Sequence, residues 1–330
     1  MHVPDGFLDV PTSIATGTMA AGFLALASYR ARDELSMRGP ALPGLTAAFI
    51  FAGQMVNFPV GVGTSGHLIG AALAAALVGP WIGTLVMSVV VIVQALVFAD
   101  GGITALGTNL LLLAIIPVFV AYGVQRLVLR LARYRRPAVV PAAALAAFVS
   151  VPVSAFVFTG LYLLGGAIEL PVGGLLASMV GWHLIIGIGE AVITAAVLGA
   201  VLAARPDLVR IARPLTAEES SQAAESPTRA SNRSIVTVGL ALSLIVGGGV
   251  SLLASANPDG LEYVAESLGF LDTAEESVAV ASPLADYALF GESVIGASLA
   301  GVIGVVFTFA VTLAIAFALR SLSTRASSTV

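Results

Sequence analysis

The 330-residue chain contains no cysteine and no lysine, and only 10% of its residues are charged. The missing cysteine removes disulfides, thiolate zinc sites, iron–sulfur clusters and thiol catalysis. The missing lysine leaves arginine as all 15 basic residues. It rules out a G-x-x-x-x-G-K-[ST] phosphate loop, so the chain does not drive transport by its own ATP hydrolysis. The arginines form no stripe of the kind that binds nucleic acid. An ordinary soluble domain carries about 25% charged residues. Here 58% of the residues are apolar and the mean hydropathy is +1.00, so too few charges remain to cover a globule in water. The composition implies an all-α polytopic membrane protein.

A helical span needs ~20 mostly apolar residues. Such stretches fall near 12–30, 41–58, 67–79, 82–99, 104–125, 139–165, 175–203, 235–254 and 293–319. The third is short, because 67–99 is one apolar run broken only at Gly79-Pro80. Arginine clusters at 30–38, 126–136, 205–233 and 320–325 decide the count. Nine spans with the N-terminus outside place all four clusters on the cytoplasmic side, as the positive-inside tendency expects, whereas merging 67–99 would put 126–136 outside. The expected location is a cell membrane crossed many times, with the C-terminus cytoplasmic. The opening MHVPDGFLDVP (1–11) has no basic n-region and is expected to be an ordered outer segment rather than a signal peptide.

Three regions follow from this pattern. Residues 1–204 form a seven-span membrane domain. Residues 205–234, rich in Ser, Ala, Glu, Arg and Pro, read as a flexible cytoplasmic linker. Residues 235–330 form a two-span accessory hairpin around an acidic outer loop, 255–292.

Two of the three histidines, His2 and His67, fall on the expected outer face together with Asp100 and Glu169. A bulky second residue leaves the initiator methionine in place, so Met1 is expected to carry a free α-amine. That amine, the backbone nitrogen of His2 and the His2 ring can close two adjoining chelate rings around one metal. The His67 ring would complete four nitrogens in a plane. Metals that deprotonate an amide and prefer tetragonal nitrogen ligation are Cu(II) and Ni(II), with Co(II) a weaker fit. His67 follows GTSG (63–66) and is expected to begin the third span, with Thr64 or Ser65 as its cap. A helix N-terminus there would keep the imidazole neutral.

A second polar set lies inside the spans: Gln54, Asn57, Gln94, Asn109, His183 and Glu190. His183 and Glu190 are two turns apart on one helix face and are expected to pair, to support the site from behind, or to bond between helices. The GTSG run also resembles the nucleophile turn of intramembrane serine proteases, which makes a hydrolase with Ser65 as nucleophile and His183 as base one alternative. A stand-alone ion-coupled carrier relying on Glu190 is another.

Four segments together are more specific than any of these patterns: MHVPDGFL (1–8), GTSGHL (63–68), QALVFADGGITALG (94–107) and HLIIGIGE (183–190). In order and content they resemble the CbiM/NikM family, the substrate-capture components of energy-coupling-factor transporters for cobalt and nickel. The resemblance implies a seven-helix capture unit, an outward N-terminus, and metal held by the Met1 amine, the His2 nitrogens and the His67 ring. It implies no permanently bound cofactor, Ni(II) or Co(II) as substrate, and no enzymatic activity. It also implies separate partners: a transmembrane coupling subunit and cytoplasmic ATPase subunits. PDGLE (258–262) resembles the accessory domain related to the small NikN/CbiN partners, which would make the C-terminal hairpin a partner fused in cis.

Overall fold

The computed structural model describes residues 1–38, 40–61, 63–212, 232–289 and 293–327. Most of the expected linker, 213–231, lies outside the described residues, as does Glu292 of the acidic loop.

The first half of the bundle contains α1 (Val10–Arg38), α2 (Ala41–Gln54), α3 (Ala71–Val78), α4 (Pro80–Val97), α5 (Leu106–Asn109), α6 (Ile116–Leu131), α7 (Val139–Gly165) and α8 (Val172–Ala204). A π-turn, Leu110–Ile115, joins α5 and α6 into one rod, so this half contains seven helical rods. The second half contains α9 (Asn232–Gly248), a short α10 (Gly260–Leu268) and α11 (Val294–Ser327). Seven of these helical rods are long and apolar enough to cross a membrane. The chain is therefore a multi-pass helical membrane protein, with a seven-helix unit followed by a two-helix hairpin.

Successive rods alternate in direction, which gives the bundle two unlike ends. At one end, after α8, Arg210 pairs with Glu34 near the close of α1 and donates to the carbonyl of Val78 at the close of α3. Arg30 lies over Trp81 at the start of α4. Every arginine in the described residues falls at this end or in the connections there. The other end gathers Asp5, Asp9, Asp100, Glu169, Asp259, Glu262 and Asp286 with no arginine among the described residues. We call these the arginine end and the site end.

The third span departs most from its expected form. Its helix begins at Ala71, not at His67, and has only eight residues, about 12 Å of rise. Its cap is Gly70, in a left-handed conformation and with no side-chain cap. Thr64 and Ser65 therefore do not cap it; they lie in β2 (Thr64–Gly66), which pairs antiparallel with β1 (Phe58–Gly61). The second span is also shorter than expected, since α2 stops at Gln54. The expected break at Gly79-Pro80 is present: Gly79 has φ +85° and turns α3 back into α4, which lie in contact where Gly83 meets Ala74.

Non-helical backbone at this depth is tolerated only where protein encloses it and satisfies its polar groups. All eight residues of α3 are buried. The Glu190 carboxylate accepts from the amides of Ile69 at 2.6 Å and Gly70 at 2.8 Å. Gln54 Nε2 donates to the Ile69 carbonyl and Gln125 Nε2 to that of Ala72. Glu190 thus serves the broken helix, and its partners are backbone amides rather than His183.

The C-terminal hairpin packs against the first half through α2, which touches both α9 and α11. Small residues set the spacing. Gly44 of α2 faces the Phe309 ring, and a Cβ on Gly301 of α11 would overlap the carbonyl oxygen of Gly247 in α9. Close approach through glycine is the usual means of joining helices in lipid, where no hydrophobic force separates a helix from its solvent.

Candidate metal centre

The N-terminal arm is fixed residue by residue. Asn109, at the last position before the π-turn, accepts from Val3 N at 2.7 Å and donates to the Val3 carbonyl at 2.9 Å. The amide of Gly102 donates to the same carbonyl. Asp5 accepts from the amides of Ile103 and Thr104 and from the Thr104 hydroxyl. These bonds satisfy an extended segment that enters the bundle without a sheet to pair with, and they carry Met1 and His2 into its interior.

There the structure brings Met1, His2 and His67 together. The Met1 amine is 3.0 Å from His67 Nε2, and the His2 and His67 rings stack with centroids 5.3 Å apart. His67 Nδ1 is 3.0 Å from the carbonyl of Leu68. Carbonyl oxygen only accepts, so Nδ1 carries the proton and Nε2 turns a lone pair toward the amine. Two nitrogens set at right angles, each about 2.0–2.1 Å from a metal, stand about 2.9 Å apart. The observed separation suits one metal between them.

The His2 ring has other partners. Its Nδ1, the nitrogen that closes a six-membered chelate, is 3.1 Å from Asp100 Oδ1. Its Nε2 is 3.2 Å from Gln94 Oε1. The second oxygen of Asp100 accepts from the Tyr287 hydroxyl at 2.6 Å. Burial pushes the His2 imidazole below its ordinary pKa, against the opposing pull of Asp100. Burial, then the neighbouring Met1 ammonium, pushes His67 further down. Burial thus disfavours the protonated form of both rings, and the neutral form is the one that binds metal. His67 owes this to desolvation and not to the start of a helix.

Asp259 is the residue that the sequence reading missed, having placed it only as one carboxylate of an acidic loop. Its Oδ2 is 2.5 Å from the Met1 amine and 3.9 Å from His67 Nε2. Burial raises its pKa, but the Met1 ammonium outweighs that and leaves the carboxyl below its usual range. A legible signal did exist: Asp259 and Glu262 have the spacing of a capping box, and Asp259 does cap α10.

The remaining expected residues have supporting places. Ser65 donates from N to the Pro258 carbonyl and from Oγ to the Asn257 carbonyl, both at 2.8 Å. Thr64 Oγ1 reaches the Pro258 carbonyl at 3.3 Å. The carbonyl of Asn57 accepts from the amide of Ser255. These residues join the two halves of the chain. His183 donates from Nδ1 to the Met179 carbonyl, while its buried Nε2 has no hydrogen-bond partner. It lines a small cavity with Met1, His67, Asp259 and Gly260. Because Ser65 Oγ is committed to the backbone carbonyls of Asn257 and Pro258, and His183 Nε2 makes no hydrogen bond, the serine–histidine dyad is not formed.

A cavity of about 650 Å3 opens beside these side chains, lined by His2, His67, Asp100, Asp259, Glu262 and Tyr287 among others. Among the described residues, no three His, Asp or Glu side chains are gathered at metal-ligand spacing.

The chain is similar to known metal-transport proteins. Residues 2–208 match the CbiM family, described as a cobalt uptake substrate-specific transmembrane region, and residues 233–321 match the PDGLE domain. A relative from Archaeoglobus fulgidus, named as a fused nickel transport protein, is 35% identical over 327 residues, 97% of this chain and 98% of that one. A relative from Haloquadratum walsbyi, named as a metal transport protein, is 41% identical over 209 residues, 63% of this chain and 93% of its own. A crystal structure of a truncated transition metal transporter is 30% identical and superposes with a TM-score of 0.55, covering 62% of this chain and 99% of that one.

Proposed function

This chain belongs to the CbiM family, with a PDGLE domain in the same polypeptide, and we propose that its site end captures Ni(II) or Co(II) for import. It is a metal-transport membrane protein rather than an enzyme. The ligands in this reading are the Met1 amine, the His2 backbone nitrogen and Nδ1, and His67 Nε2. The observation that carries it is the 3.0 Å approach of the Met1 amine to a His67 lone pair.

Capture exchanges hydrogen bonds for coordination. The metal takes the Met1 amine from its contact with His67 and takes His2 Nδ1 from Asp100. The Tyr287 hydroxyl keeps Asp100 partnered when the ring leaves. The cavity beside His2 and His67 admits the ion with its water, and the acidic site end raises local cation concentration. Tetragonal nitrogen ligation with a deprotonated amide favours nickel over cobalt, and relatives carry names for each metal.

The wider reading places the site end outside the cell and the arginine end in the cytoplasm, following the positive-inside tendency. Release inward depends on a transmembrane coupling subunit and ATPase subunits of an energy-coupling-factor importer, since no phosphate loop exists in this chain. On this reading 1–204 is the capture domain, 205–234 its connecting linker and 235–330 the accessory domain.

The test is elemental analysis after loading with Ni(II) and Co(II), comparing native Met1 protein with a form extended by one residue before Met1. The extension keeps every side chain and removes only the free amine. We expect about one metal per native chain and loss of it in the extended form. Equal binding by both forms would sink the N-terminal chelate and redirect the search to His183 and Glu190.

A further inference from the structure

We infer that Asp259, from the C-terminal half, is a positioning residue of the metal site: its carboxylate grips the Met1 amine and sets it against His67. This rests on the four-nitrogen reading above and adds to it a group that lies outside the ligand set.

The two oxygens of Asp259 have separate tasks. Oδ1 is fixed by its own helix, accepting from the amides of Leu261 at 2.8 Å and Glu262 at 2.9 Å. Oδ2 is then left pointing away from α10, and it meets the Met1 amine at 2.5 Å. The carboxylate is thus oriented before the amine arrives. The residues ahead of it are also held, because Ser65 donates from N and Oγ to the carbonyls of Pro258 and Asn257. The residue behind it is Gly260, where a Cβ would lie 2.6 Å from Ile186 Cδ1 and 3.2 Å from His183 Cε1. Only a residue without a side chain lets the start of α10 seat this closely on α8.

An amine that coordinates a metal through its lone pair still carries N–H groups. Oδ2 can therefore accept from it in both the free and the metal-bound protein, and never needs to enter the coordination plane. Partners of this kind orient a ligand and raise its basicity, and their loss costs about 10–100-fold in metal affinity. A carboxylate facing the amine also favours a dication there over a single proton, because its attraction grows with the charge it meets.

The experiment uses full-length protein with native Met1, titrated with Ni(II) in competition with a chelator of known affinity, and the visible d–d absorption of the bound metal. Asp259→Asn keeps the helix cap, for which Asn serves as well as Asp, and removes the charge. We expect affinity to fall about 10–100-fold with the absorption maximum unchanged at saturation, since the four nitrogens remain. Ser65→Ala, which loosens the segment but leaves the carboxylate, should show a smaller loss of the same sign. Wild-type affinity in both variants overturns the inference. So does a shifted absorption maximum in Asp259→Asn, which would make Asp259 a ligand. Failure of the wild-type protein to take up Ni(II) removes the four-nitrogen reading itself, an outcome separate from either of these.

Discussion

His67 shows how one residue's chemistry is set by its surroundings. Its ring is buried, its Nδ1 is committed to the Leu68 carbonyl, and a positive amine faces its Nε2. Burial, then the amine, opposes protonation, and together they outweigh Asp259 and the Leu68 carbonyl, which favour it. The folded chain therefore refuses a proton that the unfolded chain accepts below about pH 6.5. Stability from this group is present above that pH and is lost as the pH falls. Asp259 adds a loss of its own at lower pH, because its depressed pKa contributes stability only above the ordinary carboxylate range. We expect the unfolding temperature of the metal-free protein in detergent to drop by several degrees between pH 7.5 and pH 5. His67→Gln should flatten that dependence; an unaltered slope would show that other groups govern it. Met1, His2 and His67 were legible as candidates because donor atoms are so scarce in this chain. Asp259 was marked in the sequence only as a helix cap, by its spacing to Glu262, and the fold, bringing it to Met1 across 258 positions, gave it its place beside the amine.

At the scale of elements, the broken third span is the feature that makes the site possible. A full helix from His67 would have carried the ring into the packed interior with its backbone already bonded. Stopping the helix at Ala71 leaves 67–70 outside it, with the amides of Ile69 and Gly70 met by Glu190 and the carbonyl of Ile69 met by Gln54. Periodicity located the apolar run and its Gly79-Pro80 break. It did not locate the helix start, because side chains from α2 and α8 replace the intrahelical bonds there. The hairpin of α9 and α11 is held by a different device, contact between Gly247 and Gly301. Gly301→Ala would force these helices apart and should cost about 1–3 kcal/mol as overpacking. Reversible unfolding in mixed micelles measures it, and a change within a few tenths of a kcal/mol would show that the hairpin yields easily.

Across the whole molecule, positive charge and metal-ligating chemistry are kept at opposite ends. This separation keeps cationic side chains away from a site proposed to take a divalent cation, and it predicts the orientation in the membrane. The absence of cysteine makes the orientation directly testable. A single cysteine at Glu169, exposed at the site end, should react with a membrane-impermeant maleimide in intact cells. One at Arg135, exposed in the connection between α6 and α7, should react only after permeabilisation. The reverse pattern would put the site in the cytoplasm and end the import reading.

Composition alone determined that this is a helical membrane protein without thiol or phosphate-loop chemistry, because so few charges cannot solvate the surface of a folded globule. Arginine spacing set the expected number of crossings, since each extra crossing moves every later charge to the other side. Four short segments were enough to indicate the family. What only the tertiary structure decided was which of many polar residues meet. Hydrogen bonds to Glu190, the grip of Asp259 on the Met1 amine and the clamp of Asn109 on Val3 join residues far apart in the chain, and no local pattern encodes a distance across the bundle.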